Sequence, residues 1–113
     1  MKIKRRVEDG VVVLEVSGKV MGGPGATTFH GKLHEFVTGG QKKIVINLAK
    51  VEWMSSVGLG MLISAMTTMK NADGELKLAN VTQSIESLLT ITRLITIFKA
   101  YDSVDEALAA FDE

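Results

Sequence analysis

Residues 43–69 read KIVINLAKVEWMSSVGLGMLISAMTTM, and a change of period inside this stretch decides the fold. Lys43–Leu48 is a short β-branched stretch, apolar on successive residues, as in a strand covered on much of both faces. From Leu62 onward the apolar residues fall at helical spacing, with Ala65, Met66 and Met69 on one stripe. Between the two lies Met54-Ser55-Ser56-Val57-Gly58-Leu59-Gly60. A helix must begin there, and Ser55 or Ser56 is its expected N-cap. Asp73-Gly74 then turns the chain into Glu75–Ala79, where Leu76 and Leu78 alternate with charge.

Working outward, the same grammar repeats. Upstream, Asp9-Gly10 separates Ile3–Glu8 from the apolar run Val11–Val16, and Asp-Gly accepts the positive φ angles of a type I′ hairpin turn. Gly22-Gly23-Pro24-Gly25 breaks the chain before a helix that carries Phe29, Leu33, Phe36 and Val37 on one face and stops at Gly39-Gly40. Downstream, Ile85, Leu88 and Leu89 mark a third helix after Thr82. Leu94–Tyr101 reads either way, as a helix end followed by a strand. Ser103 with Glu106 three residues on is a capping box that opens a last helix, with Val104, Ala107, Leu108 and Phe111 inward. The order β-β-α-β-α-β-α-β-α predicts an α/β domain over residues 1–113, a mixed sheet of four to five strands joined by right-handed crossovers, with about four helices.

The composition narrows the chemistry. With 113 residues, 46% of them hydrophobic, the chain has room for one self-supporting core. Thirteen Lys plus Arg balance thirteen Asp plus Glu, so no surplus charge draws it to nucleic acid or an anionic membrane. The absence of cysteine excludes a disulfide scaffold, a thiolate zinc site and a cysteine nucleophile. No secretory signal and no spanning run are expected, and with them a cytoplasmic location.

Candidate motifs fall away one by one. Gly31-Lys32 resembles the end of a phosphate loop, but Ala26 stands where its first glycine belongs and Leu33 replaces the hydroxyl. His30 and His34 have the spacing of a zincin pair, yet Gly31 occupies the place of its glutamate, and solvent-facing histidines are expected. A hydrolase elbow around Ser56 fails because Met54 holds its first glycine position. Lys4, Arg5 and Arg6 mark a solvated strand edge. Met61, Met66 and Met69 read as core, with Met61 also suited to a binding groove.

The serine–glycine helix start survives. A serine hydroxyl that caps orphan N–H groups accounts for one serine. Gly58 and Gly60 are harder to dismiss, because each costs about 1 kcal/mol relative to alanine in a helix. Stripped of side chains, that turn would offer exposed backbone to another molecule. A phosphate on the serine would meet the helix's positive end while adding about −1.5 to −2 charge to any surface pressed against it.

This motif resembles that of the STAS domains of bacterial anti-sigma factor antagonists, whose pattern runs strand, Met-Asp-Ser-Ser/Thr-Gly-Leu-Gly, helix. The likeness extends over nearly the whole chain, including the hairpin, Ile44–Leu48, Gly74–Leu78, the Leu88-Leu89…Leu94…Phe98 run and Val104–Leu108. The resemblance implies a binding module rather than an enzyme, with no cofactor or metal and no catalytic residue. Its unphosphorylated form would bind an anti-sigma factor serine kinase of the histidine-kinase-like ATPase fold and so free a sigma factor. Phosphorylation would end that binding, and a PP2C-type serine phosphatase would reset it. Carried over by position, the phosphoacceptor is Ser56, with Ser55 the second choice. The implied partner surface is Met21, Gly22, Gly23, Met54, Ser55, Ser56, Val57 and Gly58, on a monomer or weak dimer. The chain departs from the pattern at Ser55, Asn47 and Met21, which replace acidic positions, and at Val57, which replaces a hydroxyl position. These departures point to the alternative, a non-phosphorylated STAS scaffold or a subunit of a transport or signalling assembly.

Overall fold

A computed structural model describes residues 2–21 and 24–111. β1 (Lys2–Glu8) and β2 (Val11–Val20) pair antiparallel and close on Asp9 and Gly10, at φ 53° and 78°. Two successive positive φ angles are what the type I′ turn requires. α1 (Pro24–Thr38) begins on a proline, whose missing N–H is no loss in a first helical turn. β3 (Lys43–Met54), α2 (Ser56–Asn71), β4 (Glu75–Ala79) and α3 (Gln83–Ile91) follow. The ambiguous segment resolves into a short 3-10 turn, Leu94–Thr96, and a three-residue strand, β5 (Lys99–Tyr101). α4 (Val104–Ala110) closes the fold.

The five strands lie in sequence order, β1-β2-β3-β4-β5, and all pairs after the first are parallel. Residues of α1, α2 and α3 share one buried cluster with Leu14, Ile44, Ile46 and Leu78 on one face of the sheet. Three crossovers on one face of a sheet that grows in one direction have one hand, as expected. α4 covers the other face through Val104, Ala107 and Phe111, against Val11, Val13, Val45 and Ala79. Both faces of β3 are therefore dry at Ile44, Val45 and Ile46, which explains its unbroken apolar run.

β3 runs six residues beyond its expected end at Leu48, and β2 four beyond Val16. The register shows why the pattern hid this. Glu15 pairs with Asn47 but Ser17 with Lys50, and Gly18 pairs with Val51 but Lys19 with Trp53. Each shift inserts one extra residue in β3. Buried side chains there consequently recur every third residue, at Leu48, Val51 and Met54, and the period of two is lost.

The motifs set aside on sequence grounds fold accordingly. Ala26–Leu33 is helix rather than a phosphate loop, and His30 and His34 are exposed. Among the described residues no cluster of metal-ligating side chains forms. Met61, Met66 and Met69 are buried. β1 is an edge strand with Lys4, Arg5 and Arg6 exposed; Arg6 pairs with Glu8 at 3.1 Å, and Arg5 lies over the Phe36 ring at 5.7 Å. No helix among the described residues is long and apolar enough to cross a membrane.

Candidate functional site

The two β3 bulges bring the end of that strand level with the end of β2, so that Met54 pairs with Val20. One residue later the Ser55 N–H donates to the Val20 carbonyl at 3.0 Å, and the Ser55 hydroxyl lies 3.4 Å from the same oxygen. Ser55 is extended, at φ −84° and ψ 172°, and its Oγ accepts the Gly58 N–H at 3.1 Å. It is the N-cap of α2, and its hydroxyl is used up in satisfying an otherwise orphan donor. Ser56 is the first helical residue, and its side chain is exposed. The structure thus assigns different work to the two serines.

Gly58 corrects an expectation. It is buried rather than exposed, and a Cβ placed on it would fall against the Val20 carbonyl oxygen and within 2.9 Å of Val20 Cγ1. Its bare backbone serves close packing between the start of α2 and the end of β2. Gly60 is the exposed glycine of this turn, with open space where its Cβ would stand. Met54 is likewise buried, packed in the main core. Met54 and Gly58 therefore support the surface from below and do not face outward.

What does face outward is Met21, 54% exposed, with Ser56 and Val57, the latter 60% exposed. Gly22 and Gly23 lie outside the described residues. Val20, bonded to Ser55, holds Met21 beside the start of α2. Sequence reasoning missed Trp53, 49% exposed immediately before Met54, and the exposed Ile91 on α3. Both line a shallow groove of about 420 Å³ that runs between the end of β3 and α3. The signal was present: only Glu86 and Arg93 are charged in residues 81–98.

The STAS domain family matches residues 2–107. The chain belongs to the STAS family. A relative named as an anti-sigma factor antagonist, the TM1081 homolog of Thermotoga neapolitana, is 34% identical over 74 residues, which is 66% of each chain. In three dimensions, the crystal structure of an anti-sigma factor antagonist from Thermotoga maritima superposes with a TM-score of 0.90 at 24% identity, covering 98% of this STAS protein and 95% of that one. SpoIIAA, named an anti-sigma factor antagonist and a Bacillus cell fate determinant, shares the fold in its unphosphorylated and phosphorylated forms. Their TM-scores are 0.75 and 0.78, at 18% and 17% identity, covering 98% and 97% of this chain and 96% and 99% of theirs. The five-stranded mixed sheet with four helices is thus the STAS fold anticipated from the sequence.

Proposed function

We propose that this STAS protein is an anti-sigma factor antagonist whose binding surface is Met21, Ser56 and Val57, with Ser56 the phosphorylated switch. One observation carries the reading: of two adjacent serines, Ser55 is committed to capping α2, and Ser56 stands exposed at the first helical position. Unphosphorylated, the small, nearly uncharged rim between Met21 and Val57 fits an apolar partner face. The partner is an anti-sigma factor serine kinase of the histidine-kinase-like ATPase fold, and its capture frees a sigma factor. A phosphate on Ser56 sits well on the free domain, because the first turn of α2 has no acidic side chain and offers its positive end. Pressed against a partner, the same two charges lose their water and drive release. A PP2C-type phosphatase then restores the binding form.

Ser56→Asp and Ser56→Ala separate the steps. The Asp variant keeps its melting temperature or gains slightly, since a charge at a helix N-terminus contributes about 0.3–1 kcal/mol. In calorimetric titration against the cognate kinase, it loses at least about tenfold in affinity, and Ser56→Ala binds but is not released by ATP. Full affinity in the Asp variant would sink the switch.

A second reading draws on the residues beside the serine. Ser55, Asn47 and Met21 carry no carboxylate where the family pattern has acids, which favours a STAS scaffold that is not phosphorylated. Intact-mass measurement of protein from its native cells decides between them: one phosphate mapped to Ser56 supports the switch, and none across growth conditions supports the scaffold.

A further inference from the structure

The positive charge around one cleft is left unbalanced by the rest of the fold. β4 reaches beyond its pairing with β5: Glu75 and Leu76 pair with β3 alone, and β5 joins only at Lys77. The free edge of β4 there borders a cleft of about 220 Å³, between the end of α2 and the start of β5. Met66, Leu76 and Ile97 line it with apolar surface; the first two are buried and Ile97 is 46% exposed. Lys70, Lys77 and Lys99 line it too, against the single carboxylate of Glu75. Lys77 is already engaged: it is buried, with the Glu75 carboxylate at 3.7 Å and the Phe111 ring at 4.8 Å. Lys70 and Lys99 are exposed, and among the described residues neither makes an ion pair. Lys99 is moreover the register partner of Lys77, so two like charges stand side by side on neighbouring strands, an arrangement that weakens a sheet. The chain as a whole has no net charge, so this excess belongs to the cleft.

We propose that this cleft binds a small organic carboxylate, with its charge on Lys70 and Lys99 and its apolar body against Met66, Leu76 and Ile97. A carboxylate has two oxygens and accepts from both ammonium groups, which then gain the partner that the fold does not give them. Its charge also offsets the repulsion between Lys99 and Lys77. The apolar wall sets the other half of the requirement: a hydrated inorganic anion covers none of it, whereas a short acyl or aromatic body does. Glu75 at the rim disfavours a second negative charge on the ligand, which selects a monocarboxylate. The cleft lies at the C-terminal end of α2 and Ser56 at its N-terminal end, about 20 Å away along the helix axis. A ligand here leaves the serine surface free, and the proposal does not depend on the switch.

Titration of the intact protein with octanoate, followed by amide shifts in proton–nitrogen correlation spectra, tests this. Saturable shifts at residues 70, 74–77 and 97–99 are expected. The Kd should be about 1 mM or below, the range open to a ligand of this size. Octanol keeps the body without the charge, and inorganic phosphate keeps charge without the body; each binds at least about tenfold more weakly. Lys70→Glu and Lys99→Glu each weaken octanoate binding at least about tenfold, through a lost charge-assisted hydrogen bond and a new repulsion. Ile97→Asp weakens it too, through the lost wall and the added negative charge. Lys4→Glu makes the same charge change on β1, at the opposite edge of the sheet, and binds as the parent does. All four positions are exposed, and circular dichroism confirms the fold of each variant. Shifts that do not saturate overturn the proposal, as do shifts centred elsewhere, equal affinity for octanol or for phosphate, or a Lys4→Glu variant as weak as the two lysine variants of the cleft.

Discussion

Gly58 and Gly60 are two residues apart in the same helical turn, and they do opposite things. At Gly58 any side chain meets the Val20 carbonyl, which is backbone and bonded to Ser55, so it cannot step aside. Gly58→Ala must therefore shift the end of β2 or the start of α2, at a cost of about 1–3 kcal/mol for an overpacked site. Gly60 has open space around it, and Gly60→Ala gains about 0.5–1 kcal/mol of helix propensity. Thermal melts should move in opposite directions, down by roughly 4 °C or more for the first and up by a few degrees for the second. A Gly58 variant that melts with the parent would remove close packing as the reason for that glycine. The motif announces its glycines in sequence but cannot assign them. One is spent on the fold, and only Gly60 leaves backbone for a partner to approach. The same holds for the serines: adjacent letters of equal type become a cap and a free hydroxyl only once φ and ψ are known.

At the scale of elements, the lesson lies in β3 and β4. Lys43–Leu48 was legible because both of its faces are buried, whereas its second half was not, because two bulges change the period that marks a strand. In β4, Leu76 and Leu78 alternate with charge, the pattern of a strand with one wet face. Yet Lys77 is 3% exposed. α4 lies over it, and the ammonium rests 4.8 Å from the Phe111 ring and 5.5 Å from Tyr101, with the Glu75 carboxylate at 3.7 Å. A lysine can be roofed this way because its stem packs like an aliphatic chain while aromatic faces hold its charge. The cost of desolvating that charge offsets most of what the ring contacts return. Lys77→Met, which keeps the stem, should thus stay within about 1 kcal/mol of the parent in urea unfolding. Lys77→Ala, which leaves a void beneath α4, should lose about 2 kcal/mol or more. Equal losses for both would mean that the ammonium, not the stem, holds α4 in place.

Across the whole molecule, the two faces of the sheet are unequally built, and stability should follow. The cluster under α1, α2 and α3 contains Leu14, Ile44, Ile46, Leu48 and Leu78, none of them measurably exposed, and long parallel pairing between β2 and β3 runs through it. The cluster under α4 is small, and its roof is a seven-residue helix tied to a three-residue edge strand. Ser103 does cap α4, accepting the Glu106 N–H at 3.0 Å, but the returning Glu106 carboxylate reaches the Asp102 N–H rather than that of Ser103. The Ser103 cap was legible in the sequence, whereas the donor that the Glu106 carboxylate takes, Asp102 in place of Ser103, was not. Local opening costs least where few buried contacts are lost. Native-state hydrogen exchange should therefore show amides of α4 and β5 exchanging at free energies well below global unfolding, while those of β2 and of Ile44–Leu48 in β3 exchange only with the whole domain. α3 should fall between, held by Ile85 and Leu89 on its inner side and by nothing on its outer side in the free protein. Equal protection of α4 and the β2–β3 pair would show that both faces unfold as one unit and that the smaller cluster is as strongly coupled as the larger.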